Sequence, residues 1–114
     1  MTTPNATTTF PRLTDIPERA ILNGTIRGHY AHADAMTIGE VHLDANTVVP
    51  MHNHPHEQFT YVMEGRFEFT VGDETTVLEP GMAAIIPGGV THGGTTLTAC
   101  RVIDVFAPVR EDYR

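Results

Sequence analysis

The sequence predicts an all-β domain, built as a small sandwich or barrel. Short segments of alternating apolar and polar residues recur along the chain, and glycine or proline interrupts them about every 8–12 residues. In residues 66–71, Phe67, Phe69 and Val71 share one face of the predicted strand and polar side chains share the other, which is typical of a half-buried antiparallel strand. No segment has the pattern of a helix of three turns.

The strand-like segments follow an irregular beginning. Residues 10–23 contain two prolines and leave room for one short helical turn. β-Branched and aromatic residues then favour strands, separated by turns rich in glycine, proline, aspartate and asparagine. The expected strands cover residues 26–30, 36–43, 47–49, 59–63, 66–71, 75–78, 82–86 and 96–106.

Size and composition limit the classes of function. The 114 residues suit one domain, with residues 1–10 expected to form a flexible polar tail. There is no apolar run of 18 residues, and the first residues lack the pattern of a secretory signal, so neither a membrane span nor secretion is expected. The single cysteine, Cys100, is compatible with a cytoplasmic location. The net charge of −7 opposes binding to nucleic acid.

Residues 50–58 are the densest group of possible metal ligands. His52, His54 and His56 lie there beside Glu57 and Gln58. On an extended strand, His52 and His54 point to the same face about 7 Å apart, so both imidazoles can converge on one ion. A solvated polar loop that is rich in histidine is the alternative. A further nitrogen ligand must come from elsewhere, and His92 is the candidate because a strand and a tight turn precede it.

Two spaced motifs, His52-x-His54-x3-Gln58-x6-Gly65 and Gly81-x5-Pro87-x-Gly89-x2-His92, resemble those of the cupin family. The first has Gln58 where the family usually has glutamate and Asn46 where it has a leading glycine. The second has Thr96 where the family has asparagine. The resemblance covers about residues 35–106 and implies a single cupin domain. Its expected fold is a jelly-roll barrel, the double-stranded β-helix.

The resemblance implies a metal held by His52, His54, Gln58 and His92. The spacing to Gly65 favours Gln58 as the fourth ligand, while His56 and Glu57 remain alternatives. Three histidines and a glutamine form a neutral shell, which leaves a divalent ion its full charge and suits an anionic substrate. The expected cofactor is one divalent transition metal per chain. Ni, Zn, Fe, Mn, Co and Cu all accept such ligands.

The last predicted strand contains an unusual carboxylate. Asp104 lies among apolar residues, where an ionised group is costly unless it is paired or functional. The pattern Asp104-x-Phe106-x-Pro108-x-Arg110 resembles the small KdgF-type cupins of pectin degradation. These open cyclic 4,5-unsaturated uronates to linear 5-keto-4-deoxyuronates. The resemblance implies Asp104 as the proton-transfer group, Phe106 as a wall against the sugar and Arg110 as a carboxylate clamp.

We therefore predict a metal-dependent enzyme that opens or isomerises a sugar acid. A metal-dependent dioxygenase and a non-catalytic metal-binding or small-molecule-binding cupin are the alternatives. Near the amino end, His32 is expected on the surface, while Tyr30 can lie at the surface or at a cavity. Phe59, Tyr61 and Met63 alternate with the ligand side of their strand. Such an apolar outer face favours a homodimer.

Overall fold

The computed structural model describes residues 9–114, so the predicted tail over residues 1–10 falls almost wholly outside the described residues. Two short 3₁₀ helices, Leu13–Asp15 and Glu111–Tyr113, flank ten strands. The strands are β1 Arg19–Ile21, β2 Ile26–His32, β3 Thr37–Leu43, β4 Val48–His52, β5 Glu57–Glu64, β6 Phe67–Val71, β7 Glu74–Leu78, β8 Ala83–Ile86, β9 His92–Thr96 and β10 Cys100–Ala107. The predicted all-β class is confirmed.

The strands form two antiparallel sheets that face each other as a jelly roll. One sheet has the order β1-β2-β3-β10-β5-β8 and the other the order β4-β9-β6-β7. Side chains alternate between the core and the outside, as in β5, where Gln58, Thr60 and Val62 are buried and the residues between them are exposed. No helix within residues 9–114 has the length and apolar character needed to cross a membrane.

The predicted final strand, from about residue 96 to 106, corresponds to β10, which begins four residues later at Cys100, and the strand before it, β9, was not predicted. β9 runs from His92 to Thr96, so the predicted range contains only its last residue. Glycine has low strand propensity, which hid β9 from the pattern. The structure explains the two glycines, because a Cβ on Gly93 would lie 2.7 Å from the carbonyl oxygen of Val49, and one on Gly94 would overlap that of Glu68.

Asn46 explains one departure from the family motif. It lies in the turn before β4 with a φ of 60°. Glycine adopts this left-handed conformation freely, and asparagine is among the residues that tolerate it best. Asparagine can therefore replace the usual glycine at this turn while leaving β4, which carries His52, in place.

Candidate metal centre

Three histidines converge at one end of the space between the sheets. His52 ends β4 and lies opposite His92, the first residue of β9, in the antiparallel register. His54 lies two residues beyond the end of β4, so simple strand alternation does not place it. One ring nitrogen from each of the three histidines lies within 4.8 Å of the others.

Backbone carbonyls hold the three imidazole rings in a single tautomer. In each ring Nδ1 lies within hydrogen-bonding distance of a carbonyl oxygen, at 2.8 Å for His52, 3.0 Å for His54 and 2.9 Å for His92. A carbonyl only accepts, so each Nδ1 carries the proton and donates it. The carbonyls belong to Pro50, His56 and Val90. In the neutral rings the free lone pair is therefore on Nε2, the form that binds a metal.

Burial keeps two of these rings neutral. Desolvation is the main cause that lowers the pKa of both His54 and His92. In addition, Nε2 of His92 is buried and has no hydrogen-bond partner among the described residues. A buried lone pair without a donor is costly unless it binds an ion or a water molecule. The three histidines therefore suit a metal ion.

Gln58 adds an oxygen to this cluster. Its Oε1 lies 2.9 Å from Nε2 of His54, and Gln58 is 8% exposed. In the neutral ring both atoms carry lone pairs, so their contact is repulsive unless a cation or a proton lies between them. Adjacent ligands of a six-coordinate ion with bonds of about 2.1 Å lie about 3.0 Å apart. The observed separation fits that spacing.

The two other possible fourth ligands lie differently. Glu57 is exposed and alternates with Gln58, so its carboxylate is on the outer face of β5. His56 is half-buried, and its ring centroid lies 5.3 Å from that of His54. The cluster of nitrogens within 4.8 Å contains His52, His54 and His92 but not His56. The assignment of Gln58 as the fourth ligand stays a prediction, and the geometry favours it.

A chain of hydrogen bonds joins Gln58 to Asp104. The amide Nε2 of Gln58 donates to Oγ1 of Thr60 at 2.9 Å, and that hydroxyl donates to Oδ1 of Asp104 at 2.7 Å. Asp104 lies directly opposite Thr60 in the β5–β10 register. Burial raises the pKa of Asp104 to about 6, although hydrogen bonds from Thr60 and Gln58 and the charge of Arg110 lower it. Near neutral pH this carboxyl can both accept and release a proton.

A cavity of about 120 Å³ connects these groups. The three histidines, Gln58, Thr60, Asp104, Phe106, Arg110, Tyr30 and Tyr113 line it. Phe106 is 3% exposed, and its ring centroid lies 5.9 Å from that of His54. The cavity is small, and apolar side chains form much of its lining, so it suits one small molecule.

Arg110 lies at the cavity wall but already has a partner. Its Nε and Nη2 donate to the two carboxylate oxygens of Asp112, at 3.0 and 2.8 Å. The guanidinium carbon also lies 4.0 Å from the ring centroid of Tyr113 and 4.7 Å from that of Phe106. The charge is thus fixed beside the cavity, and any carboxylate that enters the cavity has to share the guanidinium with Asp112.

Sequence reasoning missed several cavity residues. Thr60 could have been predicted to face the cavity, because it lies two residues after Gln58 and side chains two residues apart on a strand face the same side. Tyr113 comes from the last turn of the chain and has no local signal. Tyr30 is 7% exposed and lines the cavity. His32, expected on the surface, does not line the cavity; its ring is half-buried against Thr37 and the carbonyl of Tyr113.

Comparison with known proteins agrees with this fold and with the two motifs. The sequence pattern of the cupin domain matches residues 39–106, which is more than half of the chain. The chain belongs to the cupin family. The resemblance inferred from the His52–Gly65 and Gly81–His92 motifs is thereby confirmed.

Individual cupins show how far the similarity extends. KdgF from Halomonas sp. has 30% identity and a TM-score of 0.86, covering 95% of this chain and 100% of KdgF. An RmlC-like cupin from Shewanella frigidimarina has 26% identity and a TM-score of 0.86, covering 95% and 97% of the two chains. An uncharacterised protein of Streptomyces coelicolor is 35% identical over 74 residues, which are 64% of this chain and 70% of that protein.

Proposed function

We propose that this cupin is a metal-dependent enzyme that opens the ring of a cyclic 4,5-unsaturated uronate to give a linear 5-keto-4-deoxyuronate. The observation that carries the proposal is the position of Asp104. Its carboxyl, with a pKa of about 6, is linked by one hydroxyl to Gln58 and lines the same cavity as the three histidines. A proton-transfer group thus lies beside a candidate Lewis-acid site.

The metal site of the proposal contains one divalent transition metal ion per chain. His52, His54, His92 and Gln58 hold it, and all four ligands are neutral. When bound, the ion supplies a Lewis acid that stabilises negative charge on a substrate oxygen. The ion is one of Ni, Zn, Fe, Mn, Co or Cu, all of which accept nitrogen and oxygen ligands.

Asp104 moves the proton in the proposed reaction. Its carboxylate accepts the proton of the anomeric hydroxyl, the C1–O bond to the ring oxygen breaks, and C1 becomes an aldehyde. The electron pair of the broken bond stays on the former ring oxygen as an enolate. Asp104 returns the proton to that oxygen, and the enol rearranges to the 5-keto group. The reaction is an isomerisation and needs no second reactant.

Two further residues bind the substrate in this proposal. Arg110 attracts the uronate carboxylate in a chain whose net charge of −7 otherwise repels anions. Phe106 is buried, its ring lies near both the His54 ring and the Arg110 guanidinium, and it forms an apolar wall for the sugar. The 30% identity with KdgF over nearly the whole chain supports this substrate class.

Turnover of a 4,5-unsaturated galacturonate tests the proposal. Its double bond is conjugated with the carboxylate and absorbs ultraviolet light, and ring opening removes this absorbance. We expect decay to be accelerated by metal-loaded protein and not by chelator-treated protein. Asp104→Asn should abolish the acceleration while it retains the metal, and Asp73→Asn, in an exposed turn, should not. Decay no faster than in buffer would overturn the substrate assignment, and oxygen uptake by the Fe²⁺-loaded protein would favour a dioxygenase.

We also propose that two copies pair through the outer face of the six-stranded sheet. Ile38, Val105, Phe59 and Ile85 form one cross-strand row on that face, and three of them are 40–65% exposed. A contiguous row of exposed apolar side chains is typical of a protein–protein contact. Light scattering should report a dimer for the wild type and a monomer for Ile85→Asp. A monomeric wild type would contradict the pairing.

A further inference from the structure

We infer that Thr60 is a positioning residue that aims the carbonyl oxygen of Gln58 at the histidine cluster. The inference rests on the proposed role of Gln58 as a ligand, and it assigns to Thr60 a role that neither motif contains. Thr60 touches none of the three histidines by a hydrogen bond in the described structure. It acts through Gln58.

Strands β5 and β10 place the side chains of Gln58, Thr60 and Asp104 next to one another. Gln58 and Thr60 are two residues apart on β5 and both face inward, with exposures of 8% and 2%. Asp104 lies across from Thr60 on β10. Strand alternation and strand register determine these positions. The chain of hydrogen bonds from Gln58 through Thr60 to Asp104 is therefore a consequence of the fold.

The number of protons available on these side chains determines which atom donates in each hydrogen bond. A threonine hydroxyl has one proton, and an ionised carboxylate only accepts. Thr60 therefore donates to Asp104, at 2.7 Å, and presents a lone pair to Gln58. Only the amide nitrogen of Gln58 can donate to that lone pair, at 2.9 Å. The carbonyl oxygen of the amide must then face His54, as observed.

The same comparison of hydrogen-bond donors and acceptors explains why glutamine suits position 58. A carboxylate there would have no proton to give to Thr60, and the single hydroxyl proton cannot satisfy two carboxylates. Glutamine supplies both a donor for Thr60 and an oxygen for the cluster. Without the Thr60 hydroxyl, the amide keeps Asp104 as an acceptor but loses the closer partner at 2.9 Å, so it is freer to turn its NH₂ group, which cannot bind a cation, toward the histidines.

Cobalt binding tests this inference without any need for turnover. Thr60→Val keeps the side-chain shape and suits a strand, so the variant should fold. We expect its Co²⁺ dissociation constant to rise about tenfold, as for other partners that orient metal ligands, with a change in the visible absorption of Co²⁺. Thr60→Ser, which retains the hydroxyl, should recover most of the wild-type Co²⁺ affinity. Thr47→Val removes another buried hydroxyl, bonded to the carbonyl of Asp44, and should leave Co²⁺ affinity unchanged.

Measurements in a Gln58→Ala variant distinguish the positioning role of Thr60 from the ligand role of Gln58. Gln58→Ala should itself weaken Co²⁺ binding, and adding Thr60→Val to it should cause no further loss because the residue that Thr60 orients is gone. Wild-type affinity in Gln58→Ala would overturn the ligand assignment. Normal affinity in Thr60→Val, failure of Thr60→Ser to restore it, or an equal loss with and without Gln58 would overturn the positioning role alone.

Discussion

The guanidinium of Arg110 and the carboxylate of Asp112 form a two-point ion pair at the edge of the cavity, with bonds of 3.0 and 2.8 Å. Asp112 is 60% exposed at its side chain, whereas Arg110 is nearly buried. The hydrogen bonds from Arg110 lower the pKa of Asp112 to about 2. Asp112 therefore competes, as a fixed anion, for the positive charge that the proposed substrate requires.

Removing this competitor should favour an anionic substrate. We expect Asp112→Asn to lower KM for the unsaturated uronate about twofold to fivefold, within the usual range for an exposed ion pair, with little change in kcat. Arg110→Lys should raise KM at least about tenfold, because a lysine ammonium lacks the planar donor edge of arginine. A higher KM in Asp112→Asn would show instead that Asp112 holds Arg110 in place.

Metal binding should stabilise the folded protein through His92. A saturating ion at about 100 times its dissociation constant adds about 2.7 kcal/mol to the free energy of unfolding. We expect Ni²⁺ or Co²⁺ to raise Tm of the chelator-treated wild type and to leave His92→Ala unchanged. His42→Ala is the matched control, because His42 lies on β3 beside Glu40, outside the cluster. An equal rise in Tm for His92→Ala would place the metal elsewhere.

Stability should depend on pH through Asp104. Its pKa in the folded protein, about 6, lies above the 3.8 of an unperturbed aspartate, because burial disfavours the charged form. The folded chain therefore binds this proton more tightly than the unfolded chain does, so the contribution of Asp104 is greatest below pH 4 and is lost as pH rises through 6.

Comparison with Asp104→Asn isolates that effect. In urea denaturation of chelator-treated protein, the wild type should gain stability relative to Asp104→Asn as pH falls from 7 to 4.5. The comparison cancels the contributions of the histidines, which are the same in both proteins. A difference that does not vary with pH would contradict the raised pKa.

Two glycines with the same backbone conformation should differ in their tolerance of alanine. Gly65 and Gly81 have φ values of 93° and 92°. A Cβ on Gly65 would overlap the carbonyl oxygen of Ala99 and lie 2.8 Å from Sγ of Cys100, whereas one on Gly81 would meet nothing within 4 Å. Gly81→Ala should cost about 1–2 kcal/mol from the backbone alone. Gly65→Ala should cost about 1–3 kcal/mol more, from overpacking. Equal costs in urea denaturation would show that the packing around Gly65 relaxes.

The sequence by itself determined the fold class, the family and several of the residues that face the cavity. Strand alternation with regular turns is a local property, so the all-β class could be predicted from pattern alone. The spaced motifs that contain His52 and His92 identified the family. Alternation also placed Gln58 and Asp104 on inward faces, because side chains on a strand alternate with a period of two.

Only the tertiary structure decided how those residues meet. β9 was not predicted, because Gly93 and Gly94 are needed for close contact with neighbouring strands, and a contact of that kind leaves no local pattern. The pairing of His52 with His92, of Thr60 with Asp104 and of Arg110 with Asp112 depends on strand register and on the final turn. Residues far apart along the chain come together only when the sheets close, and the polarity of the hydrogen bonds between them then determines which atom of Gln58 faces the histidines.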